Sequence, residues 1–77
     1  SWLEVIGHDG TQLEQTLVRA GQERRFAVGS VARVKLGNAS AVDVLHDGNV
    51  QDLSRFQRAN VARFAVSSDG ALAPVSE

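Results

Sequence analysis

The stretch Arg33 to Leu53, RVKLGNASAVDVLHDGNVQDL, decides how the rest of this chain is read. Alternating polar and apolar residues up to Leu36 stop at Gly37-Asn38, two residues that tolerate left-handed backbone. Alternation resumes from Ala41 to His46 and stops again at Asp47-Gly48, a strong hairpin signal. A short run from Val50 to Leu53 follows. The pattern predicts a β-meander of strands 31–36, 41–46 and 50–53. Ala32, Val34 and Leu36 then share one face, with Val31, Arg33 and Lys35 on the other. In the second strand Val42 and Val44 point inward, and Leu45 shares the side of Asp43.

Outward from this centre the same two-residue period recurs. Residues 1–6 form a strand, with Leu3 and Val5 on one face and Trp2, Glu4 and Ile6 on the other. His8-Asp9-Gly10 turns the chain into 11–18, which reads as a strand or one helical turn; the preceding hairpin signal favours the strand. Ala20-Gly21-Gln22 is a turn, residues 23–28 are a strand centred on Phe26, and Gly29-Ser30 ends it. Residues 54–60 are a loop or a single helical turn with Ser54 at its N-cap. The last strand is 61–66, with Ala62, Phe64 and Val66 on one face and Arg63 on the other. The domain is therefore 1–66, and residues 67–77, with Ser-Ser-Asp-Gly and Pro74, are a flexible, fraying tail. The triplet His-Asp-Gly at 8–10 and again at 46–48 reads as two similar hairpins rather than a repeat architecture. Short strands with regular turn signals define an all-β class. The expected architecture is a small β-sandwich-like domain of about six to seven short, mostly antiparallel strands.

Composition agrees with one small domain. The 77 residues are 43% hydrophobic and 22% charged, which excludes disorder. Only Trp2, Phe26, Phe56 and Phe64 are aromatic, so Val, Leu and Ala must fill the core. A net charge of -1 offers no general attraction to nucleic acid. No run approaches the roughly 18 apolar residues of a membrane span. Cysteine is absent, which removes disulfides, thiolate metal sites and thiol catalysis. A chain that starts at Ser1 reads as an internal start, with anchors or partner domains lying upstream.

Chemistry-bearing patterns are sparse. His8-Asp9 and His46-Asp47 pair imidazole with carboxylate, but at hairpin tips where Asp and Gly serve turn geometry, so no metal is expected. There is no nucleophile elbow and no room for a deep cleft between paired carboxylates. The chain is read as non-enzymatic and without cofactor. Asn38-Ala39-Ser40 matches a glycosylation acceptor, but Gly37-Asn38 is explained as a turn. Basic residues gather at 19–35 and again at Arg55, Arg58 and Arg63, acidic ones at 43–52. Such patches are a solvated surface or a face for an anionic partner. Trp2 has two readings, a cap on an aromatic-poor core or an exposed contact residue. Strand alternation leaves Trp2, Glu4, Arg33, Lys35 and Arg63 off the main core face, and these five are the expected partner-binding residues.

Five segments in order resemble a known family: SWLEV at 1–5, RAG at 19–21, VKLGNASAV at 34–42, DGNVQDL at 47–53 and NVARF at 60–64. They are similar to the C-terminal extracytoplasmic domain of RodZ-like bacterial rod-shape proteins, over nearly all of residues 1–66. Gly29-Ser30-Val31 departs from the family, where relatives often carry a Pro-rich turn. The resemblance implies a parent with a cytoplasmic helix-turn-helix domain, one membrane helix, a linker and this β-domain on the far side of the inner membrane. It implies a periplasmic docking module in a protein that links the MreB cytoskeleton to cell-wall elongation and cell shape. The expected partners are envelope proteins of the elongation machinery or peptidoglycan. Nucleic acid is not expected at this domain, DNA binding belonging to the parent's helix-turn-helix part, and the membrane is engaged only through the parent's helix. The alternatives are a peptidoglycan or glycan-binding module, and an oligomerisation or structural domain of a membrane-tethered regulator.

Overall fold

Sharp turns cut the chain into short strands. The computed structural model describes residues 1–19, 21–27 and 29–75, and among these are eight strands. They are β1 (Trp2–Gly7), β2 (Gln12–Leu17), β3 (Val31–Gly37), β4 (Leu45–His46), β5 (Asn49–Val50), β6 (Gln57–Arg58), β7 (Val61–Val66) and β8 (Leu72–Ala73). Single 3-10 turns occupy Ala39–Ala41 and Ser54–Phe56. The main sheet runs β2-β1-β3-β7-β6, β8 also pairs with β7, and β4-β5 form a separate ribbon. Every pairing is antiparallel, so the all-β expectation holds, with eight strands where six to seven were expected.

Register explains the core. Across the sheet Thr16, Leu3, Leu36, Ala62 and Gln57 lie in one row, and Glu14, Val5, Val34 and Phe64 in the next. Because side chains alternate with period two, these rows point to one face, where Leu3, Val5, Leu36, Ala62 and Phe64 are buried. Each fully buried Val, Leu or Phe contributes about 1.5–3 kcal/mol. The segment 39–56 covers that face: Ala39 and Leu53 are buried, and Val42, Val44 and Phe56 pack against the cluster. The inward orientation expected for Val42 and Val44 is therefore right.

The meander is not formed. Val31 to Gly37 is the middle strand of the main sheet, flanked by β1 and β7. Asn38 takes φ 57°, the 3-10 turn follows, and the chain leaves the plane of the sheet. Asn60 fixes the departure. Its carbonyl accepts the Ala39 N–H (2.9 Å), its Oδ1 accepts the Ser40 N–H (3.0 Å), and its amide donates to Asn38 Oδ1. The place beside β3 that a returning strand would take belongs to β7, with Leu36 opposite Ala62.

Several local expectations are corrected. Residues 23–27 form no strand and are exposed; Val28 and Ala20 lie outside the described residues. Glu23-Arg24-Arg25 puts charge on both sides of any strand there, leaving no apolar face to bury. Val31, assigned outward by alternation, is buried because the register shifts between Ile6 and Gly7. The N-cap of the turn at 54–56 is Leu53 and not Ser54, and no side chain caps it; Asp52 Oδ1, just before it, accepts the Ser54 N–H at 2.9 Å. Leu72–Ala73, in the stretch read as a tail, pair with Val66 and Ala65; residues 76–77 lie outside the described residues.

The two His-Asp-Gly turns also differ. Asp47 and Gly48 both have positive φ (54° and 77°), a two-residue hairpin, whereas in the first turn only Gly10 does. The true match to Asp9-Gly10 is Asp69-Gly70. In both turns the Asp accepts the N–H two residues on (Thr11 at 2.9 Å, Ala71 at 3.1 Å). In both, the Gly N–H donates three residues back, to Gly7 at 3.0 Å and Ser67 at 2.9 Å.

Candidate functional site

The face of the main sheet opposite the core carries three rows of its own. Leu17, Trp2, Gly37, Val61 and Arg58 form the first, and Gln15, Glu4, Lys35 and Arg63 the second. The third holds Ile6, Arg33, Ala65 and Ala73. All five residues expected as contacts, Trp2, Glu4, Arg33, Lys35 and Arg63, therefore fall on adjoining positions of one face. They come from three different strands. Trp2, at 39% exposure, lies on this face and does not cap the core.

Two local devices fix the indole. Gly37 lies directly opposite, and a Cβ there would sit 3.3 Å from Trp2 Cβ, so a side chain at that position would crowd the ring's base. The Trp2 Nε1–H donates to Glu4 Oε1 at 2.8 Å, joining residues two apart on the same strand face. That hydrogen bond holds the Glu4 carboxyl below the usual glutamate range, and Lys35, Gln15 and Arg63 act in the same direction. Glu4 thus orients the indole while partly neutralising the two cations in its row.

The pair has a pH signature. A depressed folded pKa stabilises the fold above the unfolded glutamate value, and that contribution disappears as pH falls through the folded value. The Trp2 indole N–H resonance is expected to move in one step whose midpoint lies below the ordinary glutamate pKa. NMR titration checks it; a Glu4→Gln variant that keeps the step would sink the assignment.

Toward β7's far edge the open face deepens into a depression of about 640 Å³ lined by Lys35, Arg55, Arg58 and Arg63. Arg55 and Arg58 were not among the expected contacts. Their basic character is visible in the sequence, but a two-residue strand shows no alternation from which a facing can be read. Arg55 also lies over the Phe56 ring, with Cζ 5.4 Å from its centroid.

Among the described residues no group of three or more His, Asp and Glu could hold a metal ion. Asn38, in the glycosylation-like triplet, is committed to its turn through the contact with Asn60.

An antiparallel sheet buried on one side, with an aromatic and charged open side, defines a small all-β domain. The RodZ C-terminal domain profile matches residues 1–65, and the chain belongs to that family. The family is one of non-catalytic structural and interaction domains, and membership supports a RodZ-like role in cell shape. No solved structure matches the chain.

Proposed function

We propose that this chain is the non-catalytic, extracytoplasmic docking module of a RodZ-like single-pass membrane protein that links the MreB cytoskeleton to cell-wall elongation. The observation that supports this reading is the gathering of Trp2, Glu4, Arg33, Lys35 and Arg63 on one open sheet face. A part-exposed Trp beside Arg is the composition of binding hot spots, because both give large contact area and directional hydrogen bonds. Envelope proteins of the elongation machinery are the partners this face suits.

The test is cell-shape complementation by the full-length parent carrying Trp2→Ala or Arg33→Glu. Both side chains lie outside the core, so both variants are expected to fold, to accumulate at parental level and to lose rod shape. Full complementation by both would overturn the reading. A second reading rests on the part-exposed indole, which suits stacking against a sugar ring: the ligand is then wall glycan. A peptidoglycan pull-down with the 77-residue chain separates the two.

A further inference from the structure

The depression at β7's far edge joins two cations of the docking face, Lys35 and Arg63, to two outside it, Arg55 and Arg58. Half of the chain's eight Lys and Arg line it, while the chain as a whole carries a net charge of -1. No Asp or Glu is among its lining residues, and Phe56, Val61, Pro74 and Val75 supply apolar walls. The ion pairs among the described residues are Arg24–Glu14 and Arg25–Glu23, neither involving these four cations. Glu4 faces Lys35 and Arg63 across the sheet but is already held by the Trp2 N–H, and Asp52, in the field of Arg55, accepts the Ser54 N–H.

The sheet edge is also interrupted here. On β7's outer side, β6 pairs with Val61 and Ala62, and β8 with Ala65 and Val66. Arg63 and Phe64 lie between, with a ladder partner only on the β3 side. Edge backbone beside a concave, cationic and partly apolar wall is the setting in which an extended peptide is recognised, by side chains alternating between carboxylate and apolar contacts. A flat lipid surface would engage cations on a convex face, whereas these ring a hollow.

We propose that the notch between β6 and β8 binds an extended acidic segment of a partner protein, its carboxylates meeting Lys35, Arg55, Arg58 and Arg63. The proposal rests on the docking reading and names the chemistry of the partner at one end of that face. The experiment titrates the isotopically labelled 77-residue chain with a short synthetic peptide alternating Asp and Val, followed by NMR. Amide shifts are expected at Gln57, Arg58, Arg63, Phe64 and Leu72, weakening as salt is raised. A Lys-for-Asp peptide should produce none. The double variant Arg55→Glu, Arg58→Glu should weaken binding by about tenfold or more, since reversed charges repel the ligand. Arg25→Glu, on the exposed 21–27 loop, should leave it unchanged, and spectral dispersion reports that each variant is folded.

Absence of shifts, shifts confined to other surfaces, or full affinity in the double variant would overturn the proposal. So would phosphatidylglycerol vesicles shifting the same amides while the peptide does not, which would assign the notch to lipid headgroups. Failure here with Trp2→Ala still losing rod shape removes the acidic segment and leaves the docking face standing.

Discussion

Replacing Phe64 by Ala is expected to lower the unfolding free energy by about 3–5 kcal/mol, the usual cost of removing a buried aromatic ring. Phe64 is 1% exposed, stands on β7 opposite Val34, and meets Phe56 with ring centroids 5.9 Å apart at 45°. Among the described residues Phe64 and Val5 are the largest wholly enclosed side chains, and in a close-packed interior removing the ring leaves a void that its neighbours fill only in part. A chain of 77 residues has a total stability on the order of 4–12 kcal/mol, so this one change removes a large share of it. The melting temperature should fall by roughly 12–40 °C, at about 4–8 °C per kcal/mol for a domain this size. Thermal and urea unfolding followed by circular dichroism measure it. Phe56→Ala should cost less, because that ring is only half-buried. A loss under about 1 kcal/mol for Phe64→Ala would mean the core is not organised as described.

Gly70→Ala should be the costliest change outside the core. Gly70 has φ 90° and is buried under the His46 ring; an added Cβ would come within 2.8 Å of His46 Cδ2 and closer still to Nε2. The left-handed backbone costs about 1–2 kcal/mol for a residue with a side chain. Moving His46 costs a further 1–3 kcal/mol or so, as in other overpacked sites. Gly10 supplies the comparison. It occupies the matching turn at φ 83° with nothing within 4 Å of its virtual Cβ, so Gly10→Ala should show the backbone cost alone. The difference between the two variants reports the His46 contact, and Gly70→Ala made in a His46→Ala background should fall to the Gly10→Ala value. Equal losses for Gly70→Ala and Gly10→Ala in the parent would show that His46 does not pack on this turn. The same contact ties the β4-β5 ribbon to the β7-β8 turn, so Gly70→Ala should also weaken the amide protection of Leu72 and Ala73.

The turn chemistry and the facing of long strands were legible from residues alone. Asp47-Gly48 closes the hairpin its composition demands, and β1 and β7 bury the faces that alternation assigned, because both are local consequences of backbone sterics and a period of two. The signal for β8 was equally present: Asp69-Gly70 repeats Asp9-Gly10 and builds the same hydrogen-bonded turn. The run Ser67-Ser68-Asp69-Gly70 with Pro74 close behind made it read as a fraying tail. The five expected contacts came together for the same reason, since each was placed by alternation on a strand long enough to show it.

Strand neighbours were not legible. The cost of closing a loop rises only slowly with its length, so an adjacent hairpin has no decisive advantage over a distant pairing that buries more surface. Thus β3 lies between β1 and β7, and the stretch from Arg33 to Leu53 divides into a sheet centre and a layer that covers it. Arg55 and Arg58 joined Lys35 and Arg63 only because the 3-10 turn at 54–56 and the two-residue β6 were carried to β7's edge by packing. By itself the sequence determined the Asn38 and Asp47-Gly48 bends and the apolar side of β1 and β7. The tertiary structure decided which strands meet, and so which charges share a hollow, because that choice depends on burial summed over the whole sheet and on Asn60 holding the turn at Asn38.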